Sequence, residues 1–504
     1  MKPIGFDNEN YLEEQSEAII TRAAQFGKLY LEFGGKLSND FHAARVLPGF
    51  DPDGKIKLLQ RLKDRSEIII CIYSGDIERR KVRQDSGLAY DTQILSDIDD
   101  LRQYHLRIRG VIITRYQNRP IVNQFKKKLQ RREIEVFLHQ TIDGYPTNIE
   151  HIVSDKGYGK NDFIQTEAPI VVVTGPGGGS GKLATCLSQL YHEHSRGISA
   201  GYAKFETFPI WNLALEHPVN IAYEAATADL GDYNEVDPFH LEEYKTTAIN
   251  YNRDIEIFPV VKQFLEKIMG PQQVYKSPTD MGVNRAGFSI TDDELCQNAA
   301  KQEIIRRFFN YNREYAQGKT DVTTIDRIDH IMREKLNLSP EDRIPVYYAR
   351  KAAEEAKKSK KGNDGVYIGA AICLHDGKVI TGKNSSLMHS SSSLILNTIK
   401  YLAKLPDEID LISRSVIDSI RVFKTNILNT SKLSLNLEEM LIALSISATT
   451  NPSAQAAMDH LVQIRGAEVH MTAISSLGDE EGWRKLGVNL TTDPNFAGNQ
   501  LFIN

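Results

Sequence analysis

The run VVVTGPGGGSGKLATCLSQLY, from Val171 to Tyr191, restricts the fold of this chain more than any other stretch. β-Forming residues lead into a glycine-rich turn, and the apolar spacing after Gly181-Lys182 is helical. Strand, turn and helix in that order open a crossover unit, the element from which parallel sheets are built. The same outline can cradle phosphate. Consecutive glycines let backbone N–H groups close around one anion, and the following helix adds free N–H groups and the positive end of its dipole. Gly175 opens the turn. Gly177, Gly178, Gly179, Ser180, Gly181 and Lys182 then supply six successive N–H donors, with the Ser180 hydroxyl and the Lys182 ammonium beside them.

The usual nucleotide loop reads G-x-x-x-x-G-K-[ST], and this one departs from it twice. Counting back from Gly181-Lys182 puts Pro176, which has no N–H and a fixed φ, at the first position. Leu183 follows the lysine, where a hydroxyl would hold magnesium. Thr185 faces another side of the helix, and Ser188 lies nearly two turns on. Magnesium would have to be held by carboxylates from elsewhere. A strand-to-helix turn that binds nothing is the competing reading.

The rest of the chain continues the alternation. KLYLEFGG, SEIIICIYSG, VIITRY and IEVFLH read as strands, with helix-patterned segments such as GKIKLLQRLKDR and VNQFKKKLQRR among them. GISAGYAKFETFP returns as a strand after the glycine loop. GVYIGAAICLHDGKVITGK predicts a hairpin turning at Asp376-Gly377, and AEVHMTAI a later strand. The expected class is α/β and multi-domain: mostly parallel sheets with flanking helices, a helical insert, and a C-terminal three-layer α/β subdomain. A length of 504 residues suits three or four domains. The boundaries read from the sequence are an N-terminal α/β region at 1–155, a glycine-loop α/β region packed with it at 156–290, a helical region and linker at 291–363, and the C-terminal subdomain at 364–504.

Charge and cysteine usage narrow the function. With 61 basic and 66 acidic residues the net charge is −5, which gives no general drive toward nucleic acid or an anionic membrane. The basic run Lys126-Lys127-Lys128 with Arg131-Arg132 reads as a solvated helix face. Cys71, Cys186, Cys296 and Cys373 stand at no metal-site spacing, as in a reducing compartment. The first residues carry no signal-peptide core, and the strongest apolar runs, IIICIY and IVVV, are of strand length. A cytoplasmic protein is expected, with neither nucleic acid nor membrane as a partner.

The stretches GKLATCLSQLYHE, GYAKFETFPIWNL, HPVNIAYEAATADL, DPFHLE, NYNRDIEIFPV, YKSPTDMGVN and VLPGFDPDGKIKLLQRL together resemble a bacterial family of cytosolic proteins known only as a domain of unknown function. The resemblance runs on to TGKNSSLMHSSSS and LIALSISATTNP. It implies an α/β body, a helical insert and a C-terminal subdomain similar in topology to cytidine-deaminase-like domains. Zinc deaminases use His-x-Glu and Cys-x-x-Cys. Here His389 is followed by Ser390 and Ser391, and no Cys-x-x-Cys occurs, so no zinc is expected. His389 and Ser390 to Ser393 are expected to cap the next helix.

Polar clusters elsewhere are candidates for completing a site. YAKFETF puts Lys204 and Glu206 on one face of a strand. ATADLGD offers Asp229 and Asp232, and NYNRDIE offers Asn252, Arg253 and Asp254; an arginine fork suits phosphate or carboxylate. KSPTDMGVN gathers Lys276, Thr279, Asp280 and Asn284 around Gly282. Gly34-Gly35-Lys36, near Asp40 and His42, is a second glycine–lysine turn after a strand. Plain ion pairs and helix caps are the alternative at each. Lys182, Asp229 and Asp254 are candidates for chemistry. Gly175, Gly177 to Lys182, Lys204, Glu206, Arg253, Lys276, Asp280 and Asn284 are candidates for ligand binding. A functional loop requires KFETF, NYNRD and SPTDMGVN to converge on it, because one lysine does not neutralise a polyphosphate in a dry site.

The expected function is binding of a phosphorylated ligand, ATP or GTP with magnesium. Transfer of a phosphoryl or nucleotidyl group to a small metabolite, by a transferase or ligase, would follow. A non-catalytic phosphometabolite-binding or regulatory protein is the alternative, favoured by Pro176 and Leu183. A homo-oligomer is expected.

Overall fold

The computed structural model describes residues 3–35, 37, 40–82, 87–270 and 274–498. Its contacts divide the chain into two units. One comprises Pro3–Thr227 with Asp232–Ala300; the other comprises Ala228–Gly231 and the chain from Lys301 onward.

The N-terminal unit is built on β1 (Leu29–Phe33), β2 (Ser66–Tyr73), β3 (Ile108–Thr114), β4 (Val136–Leu138), β5 (Ile170–Thr174), β6 (Gly201–Phe205) and β9 (Gly282–Val283), with β7 (Asn234–Val236) and β8 (Ile249–Tyr251) forming a separate antiparallel ribbon. The seven strands run in the order β4-β3-β2-β5-β1-β6-β9, and every neighbouring pair is parallel. β5 is buried along its whole length and β2 along all but its last residue, the pattern of central strands covered on both faces. The sequence reading separated regions 1–155 and 156–290; in the structure their strands interleave in one sheet. β5 inserts between β2 and β1, with Leu31 in register with Val172 of β5 on one side and Ala203 of β6 on the other.

Strand order positions the site. From β2 the chain steps outward to β3 and β4. From β5 it steps the other way, past β1 to β6. The helix Lys182–Ser195 accordingly packs on β1, β5 and β6, and the helix Tyr90–Gln103 on β2 and β3. Adjacent strands whose chains depart in opposite directions leave a crevice outside their carboxyl ends, where α/β sheets bind ligands.

The C-terminal unit holds β10 (Gly369–Cys373), β11 (Val379–Lys383), β12 (Glu468–Met471) and β13 (Asn489–Thr492) in the order β11-β10-β12-β13. β10 is antiparallel to both neighbours, and β12 and β13 are parallel. The hairpin turns at Asp376-Gly377 as expected, with Gly377 at φ +82°. Helices cover both faces. A Cβ on Gly369 would strike the Ala349 carbonyl of the helix Ile344–Lys358 on one side; a Cβ on Gly382 would strike the Leu394 backbone of the helix Ser390–Leu402 on the other. The unit thus has three layers. The stretch read as a helical insert belongs largely to it, since Ile344–Lys358 lies on β10 to β12.

Behind β12 lies a buried ion network. Arg343, fully buried, donates to Thr491 Oγ1 at 3.0 Å, to the Asn489 carbonyl at 2.7 Å, to the Val469 carbonyl at 3.2 Å and to the Glu468 carboxylate. Arg306 reaches both Glu468 oxygens at 3.0 Å. Burial opposes ionisation of Glu468, but Arg306 and Arg343 outweigh it and hold its carboxyl down to about 2.

Three helix N-termini meet at another buried carboxylate. Asp479 Oδ1 accepts the Leu437 N–H at 2.9 Å, at the start of the helix Leu437–Ala448. Asp479 Oδ2 accepts from the Ser476 hydroxyl at 2.7 Å, the N-cap of the helix Leu477–Leu486. The same oxygen pairs at 2.7 Å with Nδ1 of His389, the N-cap residue of the helix Ser390–Leu402. His389 therefore takes the predicted N-cap position while its imidazole turns away to Asp479. Burial works against this carboxyl, and His389, Ser476 and the Leu437 N–H outweigh it and hold it below the usual range. Asp479→Ala is expected to destabilise the unit by about 3 kcal/mol, since it removes an anion satisfying several donors; urea denaturation of the variant measures it.

Candidate functional site

The glycine loop leaves β5 at the carboxyl edge of the sheet, and its two sides differ. On the packed side only glycine fits. A Cβ on Gly175 would lie 2.5 Å from the Cys71 carbonyl, one on Gly177 would strike the Tyr90 hydroxyl, and one on Gly181 would lie 2.9 Å from the Thr114 side chain. On the other side Gly178 and Gly179 are exposed, with nothing within 4 Å of a Cβ on either. Gly179 and Gly181 adopt φ +76° and +93°, conformations that favour glycine.

The loop's carbonyls are tied back by β3 and by the loop's own lysine. Thr114 Oγ1 donates to the Ser180 carbonyl at 2.8 Å, Arg115 to the Gly179 carbonyl at 2.6 Å, and Lys182 Nζ to the Gly177 carbonyl at 3.4 Å. A peptide N–H points opposite to its carbonyl, so this tethering turns the Gly178 and Gly181 N–H groups the other way. The N–H groups of Gly177, Gly178 and Gly179, and those from Gly181 to Ala184, donate to no acceptor among the described residues. The Ser180 hydroxyl is buried and has no partner among them either. Thr185 and Ser188 are engaged elsewhere, with Cys71 and Asn161.

Lys182 leads from the loop to a second cluster. Its Nζ lies 3.9 Å from Glu32 Oε1, and Glu32 Oε2 accepts from the Tyr202 hydroxyl at 2.9 Å. Glu32 on β1 is in register with Lys204 on β6. Lys204 pairs with Glu206 at 2.8 Å and with Asp254, in the first turn of the helix Asn252–Met269. Burial pulls the Lys204 ammonium down, but Asp254 and Glu206 outweigh it and raise its proton affinity. Burial also pushes Glu206 up to about 7; Lys204 opposes the rise, while Asp254 and Glu32 add to it.

The glycine turn after β1 opens on the same edge. Its lysine partner is Lys55, whose Nζ donates to the Gly34 carbonyl at 3.2 Å and pairs with Asp40 at 3.1 Å. Burial raises the Asp40 carboxyl, and Lys55 and His42 more than cancel this. Lys36 lies outside the described residues.

Residues 4–336 match the family described as domain of unknown function DUF1846, N-terminal, and residues 341–502 match its C-terminal counterpart. The chain belongs to the DUF1846 family. It is 54% identical over 501 residues to a UPF0371 protein of Clostridium tetani (strain Massachusetts / E88), and 54% identical to one of Clostridium botulinum (strain ATCC 19397 / Type A). A third UPF0371 protein, from Clostridium botulinum (strain Alaska E43 / Type E3), is 53% identical. Each match covers 99% of both chains.

In this DUF1846 chain the structure brings together Lys204, Glu206 and Asp254 of the residues singled out from sequence, and Lys182 is linked to them through Glu32. It gives the others structural work. Arg253 is mostly exposed and pairs with Asp232. Asp280 Oδ2 accepts the Lys276 and Ser277 N–H groups as part of a capping box, which is all that the structure shows for Lys276. Asn284 braces its loop through the Thr207 and Pro209 carbonyls and the Ala286 N–H. Asp229 groups with the C-terminal unit, where it accepts from the Tyr311 hydroxyl at 3.0 Å. Sequence reasoning missed Glu32, Lys55, Thr114 and Arg115. The one available signal was Glu32, a carboxylate inside the otherwise apolar strand LYLEF just before Gly34-Gly35.

Among the described residues no group of three His, Cys, Asp or Glu side chains is arranged to hold a metal ion. Magnesium that arrives with a nucleotide is bound through phosphates and one or two carboxylates. Also among them, no helix is long and apolar enough to cross a membrane.

Proposed function

We propose that this protein binds the phosphate chain of a nucleoside triphosphate on Gly177 to Lys182 and transfers a phosphoryl or nucleotidyl group to a small acceptor. The observation that carries this reading is the row of unpaired N–H groups on the open side of the loop, with its carbonyls tied back. Such a row, at the start of a helix and beside a lysine, suits an anion. Lys182 supplies charge to the outer phosphates. Glu32, Glu206 and Asp254 are the carboxylates available to magnesium, replacing the hydroxyl that Leu183 lacks. The four free thiols suit a cytoplasmic setting for the reaction, and we retain a homo-oligomer as the working assembly. A regulatory protein that binds a phosphometabolite without chemistry is the second reading, favoured by Pro176 and Leu183.

Calorimetric titration with ATP, GTP and pyrophosphate, with and without magnesium, tests the proposal. Micromolar binding of at least one nucleotide is expected. Absence of binding by all three overturns it. Tight binding without magnesium-dependent turnover selects the regulatory reading.

A further inference from the structure

We propose that Arg115 binds the terminal phosphate of the nucleotide and so makes the loop select a triphosphate over a diphosphate. This rests on the nucleotide-binding part of the proposed function. Lys182 alone does not balance a polyphosphate, and other cations read from sequence are engaged elsewhere: Arg253 pairs with Asp232, and Lys204 with Glu206 and Asp254. Arg115 touches the loop itself. It gives one N–H to the Gly179 carbonyl at 2.6 Å, and a guanidinium has five. The N–H of the same glycine is one of the unpaired donors. A phosphate held there is one residue's width from the guanidinium. Arg115 is exposed and has no carboxylate partner among the described residues.

The side chain is held ready for this contact. Its guanidinium carbon lies 3.4 Å from the centre of the Tyr73 ring, a stacking distance that fixes the plane and leaves the N–H groups at its edges to reach sideways. Tyr73 ends β2 in register with Thr114, the last residue of β3, so the arginine stands at the carboxyl edge beside the loop. The Ser74 hydroxyl donates to the Arg115 carbonyl at 2.7 Å. Arg115 also adopts φ +46°, a left-handed conformation uncommon outside glycine. The loop's two flanks differ in charge. Beside Arg115 on the β2–β3 flank is Lys81, with Nζ 5.0 Å from the centre of the Tyr90 ring, whose hydroxyl abuts Gly177. The β1–β6 flank carries Glu32, Glu206 and Asp254. A terminal phosphate, the most negative of the chain, is drawn to the basic flank. Its free oxygens match the two-pronged edge of a guanidinium.

Calorimetry on the parent, Arg115→Ala and Arg115→Gln tests this, with ATP, ADP, inorganic tripolyphosphate and pyrophosphate, each with and without magnesium. The inorganic ligands remove any contribution of the nucleoside. The parent is expected to bind ATP and tripolyphosphate about tenfold or more tighter than ADP and pyrophosphate. Arg115→Ala should lose about tenfold or more for the two triphosphates and stay within about threefold for the two diphosphates. Arg115→Gln keeps an amide N–H for the Gly179 carbonyl but no charge, and should lose the preference as well. An arginine that merely tethers the loop would weaken all four ligands alike in Arg115→Ala and be replaced by glutamine; either result overturns the assignment. So does a parent that binds ATP and ADP equally, or a variant that keeps the parent's preference. A parent that binds none of the four overturns the function on which the assignment rests.

Discussion

Replacing Arg343 by alanine should destabilise the C-terminal unit by about 3–5 kcal/mol, a large share of the 5–15 kcal/mol typical of a domain. The loss has two sources. Glu468 keeps Arg306 but loses its second guanidinium, and the Asn489 and Val469 carbonyls lose a buried donor. Arg343→Lys should recover little, because one ammonium has three donors where the guanidinium fork serves four partners at fixed angles. The chain has two tryptophans, and Trp483 is buried in the C-terminal core. In a Trp211→Phe background its fluorescence reports unfolding of that unit alone in guanidinium. The pH dependence has a definite sign. Glu468 and Asp493 are both held down to about 2 in the folded protein. Their contribution is therefore complete above the unfolded carboxylate range and is lost as pH falls through that range toward 2. Arg343→Ala should flatten this acid-side loss, and a loss of unfolding free energy below about 1 kcal/mol would show that the network contributes little.

Lys182→Ala should weaken ATP binding by about 100-fold or more while leaving the fold intact. Removing one member of a charged pair in a desolvated site costs 2–5 kcal/mol or more. The ammonium's own contacts, at 3.4 Å and 3.9 Å, are too long to hold the protein together. Thr114→Val, which frees the Ser180 carbonyl, should weaken binding less, because Arg115 still holds the Gly179 carbonyl. Calorimetry on both variants measures the two effects, with circular dichroism to confirm folding. Equal ATP affinity in Lys182→Ala and parent would remove the loop from consideration as the site.

The large sheet was legible because its strands are apolar runs bounded by turns: SEIIICIYSG and the run to Thr174 became β2 and β5. The interleaving was not, because strand order depends on which parallel partner each strand meets, and local pattern carries no record of that. This is why a boundary at 155 looked natural yet cuts through one sheet. β7, β8, β9 and β13 were missed as very short or mixed in character. In the site, the glycine loop, Lys204, Glu206 and Asp254 were readable as residue types at telling positions. Arg253, Asp280 and Asn284 looked the same in sequence but cap and brace loops, since a polar residue near Gly or Pro serves either purpose. Thr114 and Arg115 carried no local sign at all; they matter only because β3 ends near a loop some sixty residues further along.

The insertion of β5 has a consequence for biosynthesis. β1 is complete at residue 33, yet both strands that bond to it, β5 and β6, lie between residues 170 and 205. On the ribosome β1 therefore emerges with neither neighbour, and β2 can pair only with β3 until Thr174 has been made. At roughly 5–20 residues per second this interval lasts on the order of ten seconds. During it the nascent chain presents two apolar strand edges of the kind that pair with other chains. A fragment ending near residue 165 would be held permanently at that stage and should aggregate, whereas one extended past β6 supplies β1 with both partners.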